Sequence, residues 1–132
     1  MNPHQAYAKV QKETISGRDI EIRVLHKAAI LFRQTQEAPT AAERDRLLDA
    51  AVRYNLRVWD IFHADWERPD CAINPPLRVD LLRLSVYVHK TSLEVLAYGD
   101  EEKVRALTNI NDCLAQGLSA GANAPVHALA AV

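Results

Sequence analysis

The sequence predicts an all-α protein, a small bundle of about five helices in which the long helices run antiparallel. Apolar residues recur every third or fourth position in several segments, which is the spacing of one helix face. No segment alternates apolar and polar residues over a convincing length, as a half-buried strand would. Proline, glycine and capping residues separate the apolar segments, which predicts short connections between neighbouring helices.

Two helices are predicted near the N-terminus, over residues 3–14 and 18–36. Asn2 followed by Pro3 is a favourable start, because an amide can cap the helix and a proline at the first position loses no hydrogen bond. Ser16-Gly17 predicts a break between the two helices. The second carries an apolar stripe from Ile22 to Phe32.

A third helix is predicted over residues 41–66, where Thr40 and Glu43 have the spacing of a capping box. Nearly half of its circumference is apolar, more than one neighbouring helix usually covers. The sequence therefore leaves two interpretations open. Either this helix lies at the centre of the bundle, or part of its surface receives a partner.

The fourth and fifth helices are predicted over residues 76–98 and from Asp100 to about Gly117, with Gly99 ending the fourth in a left-handed conformation. Residues 1–118 are predicted to form one bundle domain, a usual size for a single domain. Residues 119–132 are rich in alanine, uncharged and interrupted by glycine and proline, so a flexible C-terminal tail is expected.

The composition argues against several classes of function. Lys and Arg number 16 against 17 Asp and Glu, so no excess of positive charge favours direct binding of nucleic acid. Cys71 and Cys113 lack the spacing of a metal site, and neither a metal nor a cofactor is expected. No apolar run is long enough to span a membrane and no export signal is evident, which predicts a cytoplasmic protein.

Catalytic chemistry finds little support in the sequence. The best candidate is His63 with Asp65, but no nucleophile motif accompanies them. The four glycines never cluster into a phosphate-binding loop. We interpret His63 as a partly exposed helix residue and Asp65 as a cap or brace of the following turn, and we do not expect an enzyme.

Aromatic and amide residues on the third helix allow two interpretations. Asn55 lies one turn before Trp59 on an otherwise apolar face. Its amide either is buried and specifies the register of the helices, or lies at the rim of a groove where it binds a ligand. Trp59 and Trp66 are correspondingly either core residues or anchors of a binding groove.

Four segments together resemble the FlaF family of flagellar biosynthesis regulators of alphaproteobacteria. They include an Asn-x-x-x-Trp helix followed by an acidic, proline-containing turn, and an Asn-Ile-Asn…Gly-Leu segment near the end of the bundle. The order and spacing of the segments carry the resemblance, which covers residues 14–32, 54–74, 82–96 and 107–118.

The resemblance implies a secretion chaperone and regulator that binds flagellin and promotes its synthesis and export, with an FlbT-like regulator as a possible second partner. A catalytically empty bundle with surplus apolar surface could receive an amphipathic flagellin segment in a groove. The alternative is a regulator that acts on flagellin mRNA directly or through that partner. The groove is expected between the third and fourth helices, with apolar anchors and polar guides at Asn55, Trp59, Phe62, Trp66 and Asn74.

Overall fold

The structure, a computed structural model, describes residues 2–120, apart from the side chains of residue 4 and residues 6–16. It contains four helices, α1 (Pro3–Thr35), α2 (Ala41–Glu67), α3 (Pro75–Tyr98) and α4 (Glu101–Ser119). No strand occurs within residues 2–120. The all-α bundle is therefore confirmed, although with four helices instead of five. Most of the predicted tail, residues 121–132, lies outside the described residues.

The first two predicted helices are one continuous helix, so the predicted break at Ser16-Gly17 is wrong. α1 runs for 33 residues through both positions, a length of about 50 Å. A glycine inside a helix costs about 1 kcal/mol relative to alanine, but it keeps its N–H donor and does not clash as proline does. A single glycine without a stop signal around it is therefore not enough to end a helix.

Capping residues begin the helices where the sequence predicted. The Asn2 side chain accepts a hydrogen bond from the Gln5 backbone N–H at 2.8 Å, and the Thr40 hydroxyl accepts one from Glu43 at 3.1 Å. The Asp100 carboxylate accepts from the first-turn N–H groups of α4. These side chains satisfy donors that have no partner inside the helix, which explains the sharp start of each element.

Gly99 ends α3 in the left-handed conformation, with φ at 66°. A side chain strains this conformation, so Gly99→Ala is expected to lower the free energy of unfolding by about 1–2 kcal/mol. The space itself is open, because a Cβ atom would meet only Leu48 at 3.9 Å. Urea unfolding checks the value, and Gly17→Ala in the middle of α1 is the matched control. The control substitution should raise the free energy of unfolding by up to about 1 kcal/mol. Equal effects at both sites would contradict the explanation by the left-handed conformation of Gly99.

Consecutive helices run antiparallel and enclose one core. α1 packs against α2 and α4, and α3 packs mainly against α2 and less closely against α4. α2 thus has neighbours on two sides, which accounts for its wide apolar arc. The side chains that fill the core from the four helices include Leu25, Phe32, Val52, Trp59, Val88, Val95, Leu107 and Leu114. None of the four helices is long and apolar enough to cross a membrane.

Candidate functional site

The aromatic residues expected to anchor a partner lie in the core. Trp59 is 2% exposed, and Phe62 and Trp66 are also buried. Their rings contact one another, with centroid separations of 6.3 Å, 6.0 Å and 5.5 Å. α1 and α3 cover both sides of α2. These three side chains therefore do not line an open groove between α2 and α3, which is where the binding groove was expected from the sequence.

Asn55 is fully buried and belongs to a chain of hydrogen bonds across three helices. The Trp59 indole N–H donates to the Asn111 side-chain oxygen at 2.8 Å, and the Asn111 amide donates to the Asn55 oxygen at 2.9 Å. The Asn55 amide then donates to the Ser92 hydroxyl at 3.3 Å. Of the two interpretations of Asn55, the structure supports the buried amide that specifies helix register.

Asn74, the second predicted polar guide, is the N-cap of α3. Its side-chain oxygen accepts a hydrogen bond from the Leu77 backbone N–H at 3.0 Å, and Pro75 follows at the first helical position. The residue is exposed, but its oxygen is occupied in starting the helix. Asn74 therefore lies apart from the buried cluster, and the five predicted residues do not form one surface.

His63 bridges α2 and α3 and does not pair with Asp65. Its Nδ1 lies 2.9 Å from the Ser85 hydroxyl oxygen, and its Nε2 lies 2.8 Å from a Glu67 carboxylate oxygen. A carboxylate only accepts, so in the neutral ring Nε2–H donates to Glu67 and Nδ1 accepts from Ser85.

The order Ser–His–Glu is that of a hydrolytic triad, but Ser85 is buried in the middle of α3. The backbone N–H groups around Ser85 are used by the helix itself, whereas acyl transfer needs such donors for the oxyanion. We therefore interpret the His63 contacts as structural hydrogen bonds, of which the one to Ser85 links α2 to α3.

An open, largely apolar groove lies between α1 and α2, near the end of α2. It encloses about 550 Å³, a volume typical of a ligand site. Ile61 is 71% exposed and Ile20 is 55% exposed, so both present aliphatic surface to solvent. The groove is lined by Ile20, Glu21, Val24, Val58, Ile61, Phe62, Ala64, Asp65 and Arg68.

The carboxylates of Glu21 on α1 and Asp65 on α2 both line this α1–α2 groove. Partial burial raises the pKa of Glu21, the nearby Asp65 carboxylate raises it further, and Arg18 acts in the opposite direction. Arg68 is already engaged by two carboxylates, since it lies 3.6 Å from Asp65 and 3.0 Å from Asp70. A cationic group from a partner would relieve the repulsion between Glu21 and Asp65.

The raised pKa of Glu21 predicts a pH-dependent effect on stability. Ionising Glu21 takes more free energy in the folded than in the unfolded chain, and this difference lowers the stability of the fold. The loss of stability is absent below the ordinary pKa of 4.5, where Glu21 is protonated in both states. It is complete at pH values above the raised pKa of the folded chain. Glu21→Gln should therefore raise the free energy of unfolding at pH 7, by less than about 1 kcal/mol because the group is half exposed.

Urea midpoints at pH 7 and pH 4 test this prediction, and Glu37→Gln in the exposed α1–α2 connection is the control. The stabilisation by Glu21→Gln should shrink towards zero at the lower pH. A stabilisation that grows on acidification would contradict the assigned sign.

No group of three or more His, Cys, Asp or Glu side chains in position to hold a metal ion occurs within the described residues. Cys71 and Cys113 are both half-buried thiols and are not joined in a disulfide.

Fold and site together define a small helical-bundle protein with an open apolar groove between two of its helices. The chain belongs to the family described as flagellar protein FlaF, whose family model matches residues 3–118. The match covers nearly the whole chain, so a role in the flagellum follows from family membership. Comparisons with curated proteins and with solved structures found no match.

Sequence reasoning missed this groove because Ile20 and Ile61 stand outside the apolar stripes of their helices. Ile61 lies between Asp60 and Phe62, and Ile20 follows Asp19. An aliphatic residue away from the core stripe of its helix is the only signal that could have indicated the site. The pairing of two such residues across helices is visible only in the fold.

Proposed function

We propose that the protein binds an amphipathic segment of flagellin in the α1–α2 groove and thereby promotes flagellin synthesis and export. The observation that carries the proposal is that two exposed isoleucines, Ile20 on α1 and Ile61 on α2, line the same groove in a member of a flagellar protein family. An amphipathic helix places its apolar face in such a groove and leaves its polar face in water.

The charges of the groove suggest which part of such a segment it takes. Glu21 and Asp65 both line the groove and lie close enough to interact, so a Lys or Arg beside the apolar face of the flagellin helix would be favoured. Ordering a disordered segment consumes part of the interaction free energy. We therefore expect moderate affinity, suited to a chaperone that must release its client.

Calorimetric titration with monomeric flagellin tests the proposal. A dissociation constant in the low micromolar range or tighter is expected, which corresponds to about −7 to −8 kcal/mol. A segment peptide that carries the apolar stripe and a basic flank should compete with flagellin. Absence of binding at tens of micromolar protein would contradict the proposal.

The alternative, direct action on flagellin mRNA, gains no specific support from the folded surface. Many arginines are paired with acids, as for Arg33 with Asp112, Arg44 with Glu101 and Arg53 with Asp49. A gel shift with the flagellin mRNA leader at two salt concentrations separates the two functions. Binding that falls steeply with salt would favour the RNA reading. An effect on translation through an FlbT-like partner, in the cytoplasm, remains compatible with flagellin binding.

A further inference from the structure

The outward face of α3 carries apolar residues at the spacing of a coiled-coil seam. Positions 79, 82, 86, 89, 93 and 96 follow the alternating three- and four-residue steps of a heptad repeat. Five of the six are aliphatic, and His89 is the exception. We call this set the α3 seam, and it consists of Val79, Leu82, Val86, His89, Leu93 and Leu96.

The fold leaves most of the α3 seam uncovered, although Leu82 packs partly against the core. Val86 is 61% exposed, and Val79, Leu93 and Leu96 are also exposed. The core takes the opposite side of the helix, through residues such as Leu81, Val88 and Val95. Isolated aliphatic residues on a surface are ordinary, but a row that extends over about 25 Å is not. α3 is also the most apolar of the four helices.

Two cations run along one edge of the seam. Arg83 and Lys90 each follow a seam valine by one helical turn, after Val79 and Val86. Neither cation lies within 4 Å of a carboxylate among the described residues. Glu94 pairs with Lys103, and that hydrogen bond, together with the more distant Lys90, lowers the pKa of Glu94. Asp80 lies about 100° around the helix from Val79, away from the seam.

This pattern of charge fits a helix of another protein better than a second copy of the chain. In an antiparallel pair of identical helices, the edge that carries Arg83 and Lys90 would face the same edge of the other copy, so like charges would meet. In a parallel pair that edge would face positions 78 and 85, but Arg78 is another cation and Ser85 is buried in the core of its own bundle. Neither arrangement supplies the two cations with carboxylates.

We propose that the α3 seam is a second docking surface, which binds an amphipathic helix of another protein with carboxylates along one edge of its apolar stripe. The aliphatic residues of that helix pack on Val79, Val86 and Leu93, and its carboxylates pair with Arg83 and Lys90. The seam shares no residue with the α1–α2 groove. The protein can therefore hold two different partners at once, one on an acidic site and one on a basic site.

Two synthetic helical peptides of about 25 residues test this surface. Both carry the same leucine heptad stripe, and the residues at its edges are Glu in one and Lys in the other. Each is titrated at concentrations where it is monomeric, and methyl NMR follows Val86 and Leu93. The Glu peptide is expected to bind the wild-type protein at least tenfold more tightly than the Lys peptide. The double variant Arg83→Glu with Lys90→Glu should reverse that preference.

Two matched single substitutions locate the binding. Val86→Asn should lower the affinity for the Glu peptide at least tenfold. Ile61→Asn in the α1–α2 groove should leave that affinity unchanged. Both sites are exposed, so circular dichroism should show folded variants. Equal affinity for the two peptides, a preference that survives the charge reversal, or sensitivity to Ile61→Asn would overturn the proposal. A wild-type dimer that Val86→Asn dissociates in sedimentation would assign the seam to a second copy and would overturn it too.

Discussion

Replacing Asn111 with alanine is expected to lower the free energy of unfolding by about 2–6 kcal/mol, because two buried polar groups lose their partner at about 1–3 kcal/mol each. The Trp59 indole N–H loses its acceptor, and the Asn55 oxygen loses its donor. Asn111 is fully buried, so water cannot easily replace the missing amide. Urea unfolding followed by circular dichroism measures the change.

The chain offers a matched control on the same helix. Asn109 is exposed on α4, two residues before Asn111. Asn109→Ala should raise the free energy of unfolding by no more than about 0.7 kcal/mol, because alanine has the higher helix propensity. Asn55→Ala should be strongly non-additive with Asn111→Ala, since both remove members of the same network. Similar effects of Asn109→Ala and Asn111→Ala would contradict a structural role for the network.

Replacing Ile61 with asparagine is expected to weaken flagellin binding at least 30-fold, or by about 2 kcal/mol. Ile61 is the more exposed of the two isoleucines that line the α1–α2 groove, at 71% against 55% for Ile20. The substitution removes apolar contact and introduces an amide that the bound helix would bury without a partner. Because the side chain is exposed in the free protein, the free energy of unfolding should change by less than about 0.5 kcal/mol.

Ile30→Asn is the matched control for the binding measurement. Ile30 is 48% exposed on α1 but does not line the groove, so flagellin affinity should be unchanged. Equal losses of affinity in the two variants would indicate a general effect of surface polarity. Full binding by Ile61→Asn would place flagellin elsewhere on the bundle.

Helix positions were largely predictable because short-range signals specify them. Asn2, Thr40 and Asp100 cap helices where the sequence indicated, and Gly99 has the left-handed conformation expected of it. Ser16-Gly17 failed as a break because its local signal is weak and the hydrogen bonds of α1 continue through it. A local preference of about 1 kcal/mol is easily outweighed by the rest of a long helix.

The position of the site was not predictable in the same way. A wide apolar arc on α2 is consistent with a central helix or with a binding face, and only the packing of α1 and α3 around it decides between them. Trp59 and Asn55 are buried by that packing, and Asn55 meets Asn111 from 56 residues away. Ile20 and Ile61 come together for the same reason. Contacts between residues far apart in the sequence depend on the order and crossing angles of the helices. The spacing of apolar residues along the sequence does not predict either.

The most direct test of the account is a spectrum of the protein labelled at its isoleucine δ1-methyl groups, titrated with monomeric flagellin. The methyl groups of Ile20 and Ile61, which line the α1–α2 groove, should shift or broaden. Those of exposed Ile30 and buried Ile110 should stay in place. Changes confined to Ile30, or a spectrum that flagellin leaves unaltered, would contradict the assignment of the groove as the flagellin site.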